Sequence, residues 1–293
     1  MKWIHTLDWV SERLQTENKE VYIVGDREGD FYEHYSLYNE RNFSGDVHLV
    51  VRLLHKHRNI LYEGEKIRIS SFIKQLEVQG ERQTTIRHPN GKKGREVTFD
   101  VSYQPIVCPA STGRQGPDIP MFLVKATEQN PVKGQQALEW IILTTKEVHS
   151  LDQAIIILEI YEKRWSIERF FYVLKQSLRV EKMQFDNSTR LTNALSLYNM
   201  IAWKLYRISV LAKTNPKQKA DGYFDSTGIV ILSKLTGRKI NKVEDYILAL
   251  GTLTNFEPSA KQPLPGEKLL WQALKIFENI KKGAQLANIY GTG

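Results

Sequence analysis

The sequence has a single cysteine, Cys108, in 293 residues. One thiol builds neither an internal disulfide framework nor a cysteine-ligated zinc site, and a reducing, cytoplasmic setting fits. No apolar run approaches the ~20 residues a helix needs to cross a bilayer. Runs such as Ala154–Leu158 and Trp140–Leu143 end in charged or polar residues. The opening Met1-Lys2-Trp3-Ile4-His5-Thr6-Leu7-Asp8 lacks the basic head and long apolar core of a signal peptide. There is no internal repeat, no low-complexity tract and no Gly-x4-Gly-Lys-Ser/Thr loop to cradle nucleotide phosphates. The seven histidines show no zinc-helix spacing, and no serine elbow is present. Disulfide scaffolds, membrane spans, P-loop NTPases and serine hydrolases are disfavoured by these absences.

What is there is an ordinary globular composition, 41% hydrophobic and 25% charged, in a length that suggests about two domains. Forty-one basic against 33 acidic side chains leave a formal net charge of +8. Such an excess favours an anionic partner, nucleic acid first and an anionic membrane surface second, although many soluble proteins carry as much for no specific reason.

Along the chain, Trp3, Ile4, Leu7, Val10 and Leu14 predict a short amphipathic helix. Val21–Val24 reads as a buried strand that ends in Gly25-Asp26-Arg27-Glu28-Gly29-Asp30, after which Asp30 to Tyr38 reads as helix. From Asp46 to Thr127 the chain is β-rich, with Val47–Leu53 as one strand. Val97, Phe99, Val101, Tyr103, Pro105 and Val107 alternate with polar residues at the period of a half-buried strand. Asn90-Gly91 and Pro109–Pro120 punctuate this region. Trp140–Thr144 is a second buried strand, and a long helix is predicted from about Leu151 to Val180, with Ser150 or Asp152 as its cap. Leu191, Leu195, Tyr198, Ala202 and Leu205 then repeat at helical spacing, and a last helix is expected from Glu267 to about Lys282. The order is α/β, a β-rich segment, α/β again, then α, as in a core domain split by an insertion.

The segment Tyr161 to Lys175 carries the densest chemistry. On one continuous helix with Tyr161 at 0°, Arg164, Glu168 and Lys175 fall at about 300°, 340° and 320°. Ile156, Ile160, Ile167, Phe170, Leu174 and Leu178 occupy a separate apolar face between about 180° and 260°. The polar stripe reads either as a solvated face or as a site holding a carboxylate, two cations and a phenol. Asp26, beyond the C-terminal end of its strand, reads either as a turn cap or as an oxygen ligand for Mg²⁺ or Mn²⁺. Asp26-x-Glu28-x-Asp30 lacks the glycine and terminal glutamate of a calcium loop. Gly91-Lys92-Lys93-Gly94 reads as a basic hairpin, either a solvated turn or one touching the DNA backbone, and His55-Lys56-His57-Arg58 as a solvated strand end or a DNA-facing one.

Tyr161, two residues, Arg164, three residues, Glu168, six residues, Lys175 resembles the Tyr-Arg-Glu-Lys signature of bacterial insertion-sequence DDE transposases. Asp26-Arg27-Glu28-Gly29-Asp30 is similar to the segment holding that family's second catalytic aspartate. The resemblance spans nearly all the chain. It implies a ribonuclease H-like core split between residues 1–30 and 138–185, a β-rich insertion at 31–137, and a helical region at 186–293 for DNA contact and dimerisation. It implies strand cleavage and transfer with two Mg²⁺ or Mn²⁺ ions, for which Asp26 and Glu168 are ligands. Tyr161, Arg164 and Lys175 are implied to hold transposon-end DNA. Trp140, which opens its strand 28 residues before Glu168, either stacks on a flipped base or is a core tryptophan.

The family's site has a third acid on an earlier strand. The 25 residues before Asp26 are used by one helix and one strand, and Asp8 sits in the helix. The resemblance therefore implies a chain truncated at its N-terminus, with the first strands and first catalytic aspartate missing, and weak or inactive alone. The alternatives are a noncatalytic DNA-binding or dimerising inhibitor of full-length transposase, and a relic. Double-stranded DNA, a homodimer on DNA and full-length transposase are the implied partners.

Overall fold

The run of alternating residues after Arg95 forms the longest strand among the described residues. In the computed structural model, which describes residues 2–13, 19–41, 43, 45–86, 94–110 and 115–290, it extends over Arg95–Cys108. The alternation changes sides along its length. Val97, Phe99 and Val101 bury one face, and Ile106 and Cys108 bury the other. The expected inward positions Pro105 and Val107 are displaced because different layers cover the two halves of the strand. The compact units of the chain are Met1–Arg164 and Trp165–Gly293.

In the first unit, eight strands among the described residues form one sheet: β1 (Glu20–Gly25), β2 (Asp46–Arg52), β3 (Asn59–Tyr62), β4 (Glu65–Arg68), β5 (Gly80–Ile86), β6 (Arg95–Cys108), β7 (Ile119–Glu128) and β8 (Glu139–Thr144). The order is β1-β2-β8-β7-β6-β3-β4, with β5 on β6. Among the described residues only β1 and β2 pair in parallel, and a parallel neighbour requires a crossover. Helix α2 (Tyr32–Glu40) supplies it, starting two residues later than the sequence pattern suggests because Asp30 is held in the preceding loop. Helices α1 (Lys2–Arg13) and α2 pack where Leu7, Val10 and Tyr35 meet Ile23, Leu49 and Leu123. Helix α3 (Ile69–Gln75) adds Phe72 and Ile73 to the same core. The strands expected in an insertion thus share the sheet with β1 and β8. Leu14, Asn90-Gly91 and residues 91–93 of the basic turn lie outside the described residues.

The long helix expected from Leu151 to Val180 is broken. Helix α4 (Leu151–Glu162) is capped by Ser150, whose hydroxyl accepts from the Gln153 amide. It closes with Arg164 N donating to Tyr161 O at 3.0 Å, a bond to the third residue back that tightens a last turn. Helix α5 (Trp165–Tyr172) begins anew and runs into a π-helical turn at Val173–Ser177. Helix α4 buries Ala154, Ile157, Leu158 and Tyr161 on the sheet. The expected apolar face is therefore rotated. Ile156 is 49% exposed, and Ile167 is also exposed.

The second unit is helical. Helix α6 (Ser188–Thr214) is capped by Asn187, and α7 (Ser226–Thr236) by Asp225. Helices α8 (Val243–Thr252) and α9 (Glu267–Tyr290) complete it, α9 running past the expected end near Lys282. Its core gathers Leu205, Leu232, Ile247, Leu270 and Phe277. Glu267 accepts from Arg169 at 2.5 Å and Ser209 at 3.0 Å.

The rotated face of α4 is testable by denaturant unfolding. Ile157→Ala is expected to cost about 2–5 kcal/mol. Ile156→Glu should change stability by no more than about 0.5 kcal/mol. Equal losses at both positions would contradict this packing.

Candidate active site

The apolar run of β1 ends in register with β2, Gly25 opposite Val51, and the next residue is Asp26. It caps a single 3-10 turn at Arg27–Gly29, its Oδ1 accepting from the Glu28 amide at 3.0 Å. Asp26 is half-buried. The two readings of this residue are compatible, because capping uses one carboxylate oxygen. The three acids of this segment do not converge. Glu28 turns outward to pair with Lys2, and Asp30 turns inward at 1% exposure.

Asp30 accepts from Tyr35 Oη at 2.7 Å, from the amides of Leu54 at 2.6 Å and His55 at 2.9 Å, and pairs with Arg58. This corrects the view of His55-Lys56-His57-Arg58 as merely a solvated strand end, since Arg58 is bound inward. Burial pushes the Tyr35 phenol well above its ordinary range. A cavity of about 420 Å³ beside this loop is lined by Phe31, Tyr32, His55, His57, Arg58 and Lys66, among others.

Strand β8 runs antiparallel to β2, with Arg52 opposite Ile142, so Trp140 lies at the Asp26 end of the sheet. Arg52 donates to Glu139 O at 3.1 Å. The 12 residues of α4, about 18 Å at 1.5 Å per residue, lead back to this end from Thr144. There Trp140 stacks on Phe99 with ring centroids 5.4 Å apart, and meets Tyr161 edge-on at 6.2 Å. The Arg164 guanidinium lies 5.8 Å from the Tyr161 ring centre. Trp140, Tyr161 and Arg164 form one aromatic–cation cluster. Tyr161 is only 4% exposed, which corrects its place on an exposed polar stripe: its ring belongs to the buried face of α4.

Glu168 and Lys175 belong to the second unit. Glu168 sits in the first turn of α5, where the helix dipole favours a carboxylate, and is half-buried. Lys175 lies in the π-turn, exposed, 2.8 Å from Glu181 Oε1. The helix break and the π-turn end the uniform 100° step, so the four signature residues do not share one straight helical stripe.

A cluster that sequence reasoning missed lies at the other end of β1 and β2. Glu20 faces Asp46 across the ladder, and with His48 their ligand atoms lie within 4.8 Å. Lys146 Nζ stands 2.6 Å from Glu20 and 3.5 Å from Asp46, so this cluster already contains its cation. Lys146 holds the Glu20 carboxyl below its usual range, and Glu20 raises Lys146 in return. No sequence signal marks the cluster, because strand register creates it.

The sequence model of a protein family described as transposase DDE domain matches residues 4–204. The chain belongs to this family. The matched span takes in Asp26, Trp140, Tyr161, Arg164, Glu168 and Lys175. The α/β sheet followed by a helical C-terminal region is the fold expected of such a transposase. Divalent metal ions serve DDE transposases in general, and the donor set fits them. Asp26 and Glu168 offer hard oxygen ligands. The lone thiol, Cys108, is buried in the core and pushed up to about 11 by burial. Among the described residues, no helix is long and apolar enough to cross a membrane.

Burial lowers the pKa of His34, and lowers that of His48 against the opposing pull of Asp46. Both groups are neutral above the unfolded value near 6.5. As pH falls below it the unfolded chain protonates first, so stability drops until the folded values are passed. The melting temperature is therefore expected to be flat above about pH 7 and to fall toward about pH 5. A double variant, His34→Asn with His48→Asn, should flatten that slope, and an unchanged slope would refute the assignment.

Proposed function

We propose that this transposase acts on the ends of an insertion-sequence element in the bacterial cytoplasm, with Asp26 and Glu168 as ligands of Mg²⁺ or Mn²⁺. Tyr161, Arg164, Lys175 and Trp140 are its contacts to double-stranded DNA. The observation that carries this reading is the family match over a span containing all six residues. The ions, when bound, supply an activated water or 3′-hydroxyl and stabilise the leaving oxygen. Arg164 grips a phosphate in the bidentate manner of a guanidinium, and the Tyr161 ring beneath it restricts its approach. Lys175 adds a point charge to the same backbone. Trp140, already stacked on Phe99, offers its half-exposed indole to a base.

A DDE site uses a third acid, and none is assigned in this chain. Within its own unit Asp26 belongs to no cluster of three candidate ligands among the described residues. β1 is an edge strand there, paired only with β2. The resemblance to the family carries the expectation of a chain weak or inactive in cleavage by itself, and with it a second reading: a noncatalytic, dimerising inhibitor of a complete transposase, or a relic. The exposed Leu197, Met200 and Trp203 of α6, spaced by three along one side of the helix, support a homodimer or a partnership with full-length transposase.

The contact role of Arg164 is read by measuring DNA affinity against salt. Arg164→Ala should weaken binding and lower the slope of log K against log salt by about 1. A slope unchanged from wild type would make Arg164 structural. Mg²⁺-dependent nicking that survives in Glu168→Ala would defeat the metal assignment itself.

A further inference from the structure

We propose that Asp30 is a positioning residue for Asp26, holding the loop that carries it through a buried knot to the chain beyond β2. The inference rests on the reading of Asp26 as a metal ligand. It starts from the way the loop is pinned. At its near end, the β1–β2 ladder pairs Gly25 with Val51. At its far end, Asp30 Oδ2 accepts the amides of Leu54 and His55, the residues that continue β2. Asp26 therefore sits in a short segment whose two ends are tied to one strand and its extension.

The interior of the loop is closed as well. Gly29 N donates to Asp26 O at 3.0 Å, and Asp30 N to Arg27 O at 3.3 Å. Gly29 O accepts from His34 Nδ1 at 2.9 Å. A carbonyl only accepts, so His34 carries its proton on Nδ1.

Asp30 is itself no ligand. An ionised carboxylate has about four acceptor sites. Tyr35 Oη and Arg58 Nη2 fill those of Oδ1, and two backbone amides fill those of Oδ2. Arg58 also donates to the Asp30 carbonyl at 3.1 Å and lies over the Tyr35 ring at 5.6 Å. A buried ionic knot of this kind is often no more stabilising than well-packed apolar residues. What it adds is a fixed geometry, because four directional bonds must be met together. The residue that gains from that geometry is the half-buried acid four positions earlier, Asp26.

The test uses Mn²⁺ binding by the whole chain, followed through the resonance of free Mn²⁺, with circular dichroism and melting as controls. Asp26→Asn should remove a Mn²⁺ site. Tyr35→Phe and Asp30→Asn should remain folded yet weaken that site about tenfold or more, as loss of supporting partners does at metal centres. The proposal is overturned if Asp26→Asn removes the site while Tyr35→Phe lowers only the melting temperature and binds Mn²⁺ as wild type does. Should Asp30→Asn fail to fold, Tyr35→Phe decides alone. Wild-type binding in Asp26→Asn, or no Mn²⁺ site in the parent chain, would instead refute the reading of Asp26.

Discussion

A strand in the middle of a sheet with layers on both sides has to bury both of its faces, and this demand on β2 and β8 governs the first unit. In β2, Val47, Leu49 and Val51 enter one core and Val50 the other. In β8, Ile141 and Leu143 take the first core and Ile142 the second. Such runs carry no alternation, because neither face meets water. Once these two strands are fixed side by side, β1 and β7 have only their outer edges to join. The C-terminal end of β1 and the N-terminal end of β8 then coincide, and Asp26 and Trp140 come to one end of the sheet.

The charged residues inside this frame are held in pairs, as low dielectric requires. Arg82 of β5 reaches Glu162 at the end of α4 through two bonds of 2.9 and 3.0 Å. Arg95 does the same with Glu128 across β6 and β7, at 2.5 and 3.1 Å. The first pair fastens the end of α4 to the sheet one residue after Tyr161. The aromatic cluster of Trp140, Tyr161 and Phe99 is thereby fixed from the helix side as well as from the strand side. Arg164 leaves α4 just beyond that fastening.

Local patterns carried much of the fold. The alternation from Val97 to Val101, the helix from Leu191 to Leu205 and the cap at Ser150 are each set by neighbours within a few residues, and each is present. Three features were not legible, for different reasons. The break at Lys163-Arg164 has no proline or glycine to announce it, because its cause is a change of packing partner. The π-turn at Val173–Ser177 buries Val173, Leu174 and Ser177, positions that also share one face of a regular α-helix, so the pattern does not announce it. The Glu20, Asp46, His48 and Lys146 cluster exists only because strand register sets distant residues side by side.

The same distinction explains the signature. Its spacing looked like the period of one helical face, yet each member has a separate local reason for its place. Tyr161 closes the buried stripe of α4 begun by Ala154. Arg164 is the last residue of the first unit, in the turn that ends that helix. Glu168 stands in the first turn of α5, where the helix dipole favours a carboxylate. Lys175 is carried by a π-turn, an element found more often at functional sites than in plain scaffolds. A solvated helical face would need neither the break nor the π-turn. The break falls inside the fifteen residues from Tyr161 to Lys175, and the π-turn begins there and runs on to Ser177, so the departures from a regular helix gather around the signature.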